Sequence, residues 1–281
     1  MKLMSYEYQG KASYGAVKDG GVVDLGRRIA GCATLKALLA AGGLAEAAKI
    51  AAREAPDARL DQVKYLPLIP DPNKILAIGL NYSDHAAETG MKPPAKPIIF
   101  PRWPDSQVGH EEALVKPAES DQFDYEVELC IVIGKPARRV SVEKALDYVA
   151  GYTVYNDGSI RDWQFHTSQW APGKNFPRSG SVGPWLVTSD EVGDTSNLKI
   201  MARLNGQTMQ NGSTSKLIFT PREIVSYASS CMNLSPGDLI PTGTPPGVGF
   251  VRKPPVFMKA GDVIECEIER IGTLRNKVIA G

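Results

Sequence analysis

Two acids stand two residues apart in Phe123-Asp124-Tyr125-Glu126-Val127-Glu128-Leu129-Cys130-Ile131-Val132-Ile133. The two-residue period of a strand puts Glu126 and Glu128 on one face with Cys130 and Val132, an otherwise apolar surface. Like charges desolvated that close together are costly or take up a proton, so a compensating cation is expected. A divalent metal is the compact solution, and pairing to arginine or lysine is the other. Asp157, where Asn156-Asp157-Gly158 leaves a strand for a loop, offers a third carboxylate. Three hard oxygen ligands without histidine suit Mg²⁺, Mn²⁺ or Ca²⁺ better than zinc. The chain holds its own control: Glu265, Glu267 and Glu269 also alternate, but on a wholly polar face, the pattern of a half-solvated strand.

Other groups could complete a site. His85 and Glu88 are three apart, so on a short helix they share a face, and the carboxylate can orient the imidazole or polarise a water with it. A capped surface helix is the plainer reading of that octet. Arg161 and Gln164 follow Asp157, and Lys174 sits in Gly173-Lys174-Asn175-Phe176. Arg161 could fork onto a substrate carboxylate or neutralise the acids, with Lys174 as a mobile point charge. Lys174 is no P-loop lysine, because the Gly-x-x-x-x-Gly-Lys-Ser/Thr spacing is absent. In Thr242-Gly243-Thr244-Pro245-Pro246-Gly247-Val248-Gly249 the glycines let backbone approach a ligand and the threonines present hydroxyls. His110 and His166 have no indicated acid partner and read as structural.

The elements that must position these groups are short strands. Asp19-Gly20-Gly21 and Leu204-Asn205-Gly206-Gln207 carry hairpin signals. Thr34 to Ala55 predicts two short helices split at Gly42-Gly43, with Thr34 as N-cap. Prolines at 56, 67, 70 and 72 mark a boundary, giving a small N-terminal α+β region at 1–70 and a catalytic region at 71–281. Further on, Lys74–Leu80 and Asp124–Ile133 are expected as strands, Val142–Val149 as a helix, and the last third as nearly all β. The fold class is α+β and β-rich, closed into a roll or barrel. The chain has 281 residues, 43% of them hydrophobic, and a formal charge of +1, so it can bury a core but offers no field to hold nucleic acid or an acidic membrane. Cys32, Cys130, Cys231 and Cys266 are widely spaced, as in reduced thiols. No apolar run spans a membrane, and a cytoplasmic protein is expected.

The combination is more specific than its parts. Asn81-Tyr82-x-x-His85-x-x-Glu88, Asp124-Tyr125-Glu126-x-Glu128-Leu129, Asn156-Asp157-x-Ser159-x-Arg161-Asp162-x-Gln164, Gly173-Lys174-x-Phe176, Gly183-Pro184-Trp185 and Thr242-Gly243-Thr244-Pro245, in that order, resemble the fumarylacetoacetate hydrolase family. The likeness runs from about residue 72 to the C-terminus. It implies a β-rich catalytic fold in a homodimer, Mg²⁺ or Mn²⁺ held by Glu126, Glu128 and Asp157, and chemistry on small keto acids. It further implies His85 and Glu88 as a water-activating pair, Lys174 as the lysine that polarises substrate, and Arg161, Gln164, Gly243 and Thr244 at the substrate. Where many relatives read Lys-Gly-Phe-Asp-Thr, this chain has Lys174-Asn175-Phe176-Pro177-Arg178, and Arg102 stands where many carry lysine. Both departures fall where a substrate's distal groups could bind, which makes Arg102 a substrate-binding candidate. The expected activity is metal-dependent hydrolysis of a C–C bond in a 2,4-dioxo acid such as an acylpyruvate. A decarboxylase of oxaloacetate-like acids and an isomerase of unsaturated 2-oxo acids are the alternatives, and a non-catalytic acid binder is a remote one. Gly90 and the prolines beyond it suggest that the His85 helix is a lid ordered by substrate.

Overall fold

Asp19 and Gly20 take positive φ, 48° and 74°, the conformation a tight hairpin needs. They join the Lys11–Lys18 strand to Gly21–Asp24. The computed structural model describes residues 1–88, Gly90 and 92–281, with only the backbone of 85–87. In it these two strands are part of one twelve-stranded mixed sheet. The sheet continues through Lys2–Tyr8, Gly180–Thr188, Val149–Asn156, Val127–Ile133, Leu239–Pro241, Ile75–Gly79 and Ile98–Arg102. A five-stranded sheet of Gln207–Ser213, Lys199–Leu204, Val263–Ile268, Gly272–Ala280 and Leu114–Lys116 packs against it. The chain is thus α+β and β-rich.

The central strand shows why both faces must be covered. All seven residues of Val127–Ile133 are buried. Val127, Leu129, Ile131 and Ile133 point into a core shared with Ile264, Cys266, Ile268 and Leu274 of the second sheet. Cys130 and Val132, on the opposite face, pack in a cluster with Leu3, Leu35, Leu38 and Leu39. The N-terminal residues therefore roof the sheet face that carries Glu128, and Lys2–Tyr8 is hydrogen-bonded to Gly180–Thr188 within the same sheet. Thr34 caps Leu35–Ala40, and Leu44–Arg53 follows after the glycine pair.

Three expectations differ from what is seen. Asp124–Ile133 is two strands, Phe123–Asp124 and Val127–Ile133. The ladder breaks at Tyr125 and Glu126 because the Glu126 N–H goes to the Asn156 side chain, at 3.0 Å, instead of a partner strand. Val142–Tyr148 winds as a 3₁₀ helix, and Val149 already opens the strand. The last third contains the eleven-residue helix Pro221–Cys231. Its signals were present in the sequence: Thr220 and Glu223 form a capping box with proline in the first turn.

Candidate metal centre and cleft

Val127 pairs with Asn156 and Glu128 with Tyr155 across antiparallel strands. One step further the Asp157 N–H donates to the Glu126 carbonyl at 2.9 Å, so Glu126 and Asp157 face each other where the two strands end. Opposed like charges repel. Nevertheless the carboxylate oxygens of Glu126, Glu128 and Asp157 all lie within 4.8 Å of one another, and all three residues are buried.

Cations from three separate segments compensate part of this charge. The Lys174 ammonium, delivered by the short helix Ala171–Lys174, donates to Glu126 Oε2 at 2.9 Å, Asp157 Oδ2 at 2.6 Å and the Ser159 hydroxyl at 2.7 Å. Arg161 opens the helix Arg161–Gln164. It pairs with Glu126 Oε1 at 2.6 Å, and its Nε donates to Asp124 Oδ2 at 2.8 Å. Its Nη1 donates to Gln164 Oε1 at 3.0 Å. Its Nη2 is buried with no hydrogen-bond partner among the described residues.

Arg102 corrects an expectation. It does not line the cleft; it is wholly buried beneath it. One guanidinium nitrogen holds Asp157 Oδ1 and the Gly158 carbonyl, and the other donates to the Ser179 hydroxyl at 3.1 Å. The physical reason is charge: Asp157 is fully desolvated and needs a partner on the side that Lys174 does not reach. Arg102→Met is expected to cost about 3–5 kcal/mol in equilibrium urea unfolding, because it removes one of the two cations that hold a fully buried carboxylate. Arg102→Lys should recover part of that loss. A cost below about 1 kcal/mol for Arg102→Met would mean that Asp157 does not depend on this pair.

Glu128 is the acid left over. Its Oε2 accepts the Gly243 N–H at 2.8 Å, and it has no ion pair within 4 Å among the described residues. Burial, with Asp157 and Glu126 beside it, pushes its carboxyl well above the usual carboxylate range. Counting Asp124, four acids face three cations among the described residues. A divalent cation among the three clustered acids removes that deficit and leaves one positive charge, the complement of a substrate carboxylate. Hard oxygen donors, a small cluster and an uncompensated buried acid together fit Mg²⁺ or Mn²⁺.

The Thr242–Gly249 loop closes this end of the strands. The Thr242 hydroxyl donates to Leu129 O, and the Thr244 hydroxyl to Val127 O, each at 2.9 Å. Gly243 has φ +98°, and a Cβ there would meet the Asn81 Cβ at 2.8 Å, so only glycine can present its N–H to Glu128 here. The Glu88 carboxylate accepts the Gly247 N–H at 3.0 Å, which ties the Ser83–Glu88 helix to the loop. The side chain of His85, and residues 89 and 91 of the expected lid, lie outside the described residues. His110 is structural: its Nδ1 accepts the Arg275 N–H at 3.1 Å and its ring meets Tyr65 edge-on.

Glu126, Glu128, Arg161, Gln164, Lys174 and Thr244 line one cleft, with free space of about 490 Å³ including its open mouth. Sequence reasoning missed Asp124 as the organiser. Its carboxylate accepts the N–H groups of Tyr125, Gly249 and Phe250 as well as Arg161 Nε, fixing the loop and the guanidinium together. Gln210 was also missed. It ties the Val127 N–H to Thr244 and Pro245 from a hairpin strand whose residues carry no signal of the site. The Glu265 and Glu267 control behaves as a solvated face, paired to Arg203.

The fumarylacetoacetate (FAA) hydrolase C-terminal profile matches residues 74–279. The chain belongs to the fumarylacetoacetate hydrolase family. A Dictyostelium discoideum member, a fumarylacetoacetate hydrolase domain-containing protein 2 homolog, is 50% identical over 219 residues, 74% of this chain and 72% of that one. The mitochondrial oxaloacetate tautomerase FAHD2A of Homo sapiens is 42% identical over 238 residues, 84% and 76% of the two chains. Among solved members of the family, maleylpyruvate hydrolase from Sphingobium sp. SYK-6, in complex with manganese(II) and pyruvate, superposes with TM-score 0.84 at 28% identity, covering 100% of both chains. Members of this family are enzymes, and the site carries a carboxylate cluster placed to hold a metal ion. No helix among the described residues is long and apolar enough to cross a membrane.

Proposed function

We propose that this protein interconverts the keto and enol forms of a 2-oxo acid with Mg²⁺ or Mn²⁺ held by Glu126, Glu128 and Asp157. The observation that carries the reading is the buried convergence of those three carboxylates beside Lys174 on the floor of one cleft. It is supported by the reaction named for the mitochondrial relatives. A divalent ion bound there supplies Lewis-acid stabilisation of charge developing on the 2-oxo oxygen, worth several kcal/mol. The chain's own residues do the rest. The unpartnered Nη2 of Arg161 and the amide N–H groups of Gln164, whose Oε1 is occupied by Arg161, hold the substrate carboxylate. The Lys174 ammonium delivers a proton to C3 and regains one from the enol oxygen. The cleft walls exclude bulk water and strengthen each of these contacts.

Hydrolysis of an acylpyruvate is the second reading, favoured by the manganese- and pyruvate-bound maleylpyruvate hydrolase of the same fold. It needs a water-activating group, the role assigned to His85 and Glu88 on the resemblance. The two reactions separate cleanly. Exchange of C3 protons of a 2-oxo acid into D₂O, followed by NMR with Mn²⁺, is expected to fall by more than about 10²-fold on chelation. His85→Ala should abolish C–C cleavage of an acylpyruvate while leaving that exchange comparatively intact. Cleavage faster than exchange in the wild type would favour hydrolysis instead. The reading carries a homodimer with it, which sedimentation of the purified chain checks.

A further inference from the structure

The cleft is chemically divided. The charged lining groups among the described residues, Glu126, Glu128, Arg161 and Lys174, belong to the floor. Phe250 lies under the Arg161 guanidinium, 4.4 Å from its centroid, and Phe100 5.3 Å from the Lys174 ammonium; Trp170 extends this surface by meeting Phe100 edge to face with centroids 5.4 Å apart, and Phe165 by lying 5.9 Å from Phe250. Phe165 stays 49% exposed, an apolar surface at the mouth. The Trp170 ring lies on the bare backbone of Gly79, where a Cβ would come within 2.2 Å of it. That fit lets a flat indole form the wall without filling the space.

Among the described residues no lining cation is free to serve a second carboxylate. Lys174 is committed to Glu126 and Asp157, Arg161 to Asp124 and Glu126, and Arg102 is buried on Asp157 below the floor. An anionic distal group would lose its water against aromatic rings without a countercharge. A planar apolar group would instead stack edge or face on them.

We propose that the cleft takes 2-oxo acids whose substituent beyond C3 is apolar and planar, an aryl or alkenyl group, with Trp170 as the specificity-determining residue. This rests on the reading of the floor as a 2-oxo acid enol site and narrows its substrate class. The step balances without a co-reactant. The C3–H electron pair becomes the C2–C3 π bond, the carbonyl π pair goes to oxygen, and one proton moves from C3 to that oxygen. An aryl enol is conjugated and flat, the shape the rings leave open.

The test compares enol formation from phenylpyruvate and from oxaloacetate by the intact chain with Mn²⁺. Phenylpyruvate is expected to have the higher kcat/KM by at least about tenfold, the scale on which apolar pockets discriminate. Trp170→Phe should keep that preference. Trp170→Arg, which supplies the missing cation at a half-buried position, should reverse it. A wild-type preference for oxaloacetate, or an unchanged ratio in Trp170→Arg, overturns the proposal and leaves the tautomerase reading standing. Turnover of neither acid overturns the tautomerase reading and the proposal with it.

Discussion

Replacing Glu128 by glutamine stabilises the metal-free protein and abolishes turnover. Glutamine keeps the acceptor for the Gly243 N–H and removes the one clustered acid that has no ion pair among the described residues. A gain of about 1 kcal/mol or more is expected near neutral pH, or about 2–4 °C in Tm for each kcal/mol in a chain of this size. The pH dependence has a definite sign. Burial and the neighbouring acids raise the folded-state pKa of Glu128. The stability of its neutral form is therefore fully present below the ordinary carboxylate value and is lost as pH rises through the raised one. Wild-type Tm in chelator should fall across that window, while Glu128→Gln should not show that fall. A metal ion must displace the same proton, so Mn²⁺ affinity of the wild type should rise with pH. Activity should drop by more than about 10³-fold in the variant. Scanning calorimetry in chelator and titration calorimetry with Mn²⁺ check the two halves, and a destabilised variant that still binds Mn²⁺ as tightly as wild type would refute both.

The second large effect is expected at Lys174. Lys174→Met leaves Glu126 and Asp157 facing each other with their central cation gone. The metal-free variant should lose about 3–5 kcal/mol in urea unfolding. Mn²⁺ should return much of that stability, since it supplies positive charge between the same oxygens. It should not return activity, which stays lower by about 10²- to 10³-fold, because the proton-bearing group is missing. Full recovery of turnover with Mn²⁺ would make Lys174 a placeholder for the metal and remove it from the proton path.

The carboxylates were legible in the sequence because two-residue alternation sets Glu126 beside Glu128, and their oxygens converge although the ladder itself breaks at Glu126. Asp157 was legible because it follows the strand that pairs with theirs, and the register sets it opposite Glu126. Hairpin turns and the capped helix at Thr34 were legible for the same local reason. Arg102 was misread because nothing local reveals which side of a carboxylate a distant guanidinium approaches; its partners are 55 and 77 residues away. Asp124 was visible as a motif letter, but its four donors come from segments more than a hundred residues apart in places. The aromatic wall was invisible because Phe100, Phe165, Trp170 and Phe250 come from three separate stretches and meet only in the fold. The helix Pro221–Cys231 is legible as well, through the capping box of Thr220 and Glu223.

The site turns on one ion, and anomalous diffraction from Mn²⁺-soaked crystals locates it most directly. The expected result is a single strong peak within about 2.3 Å of one oxygen from each of Glu126, Glu128 and Asp157, with Arg102 still on the far oxygen of Asp157. A peak elsewhere, or an empty cluster in which Lys174 still bridges Glu126 and Asp157 at saturating Mn²⁺, would contradict it.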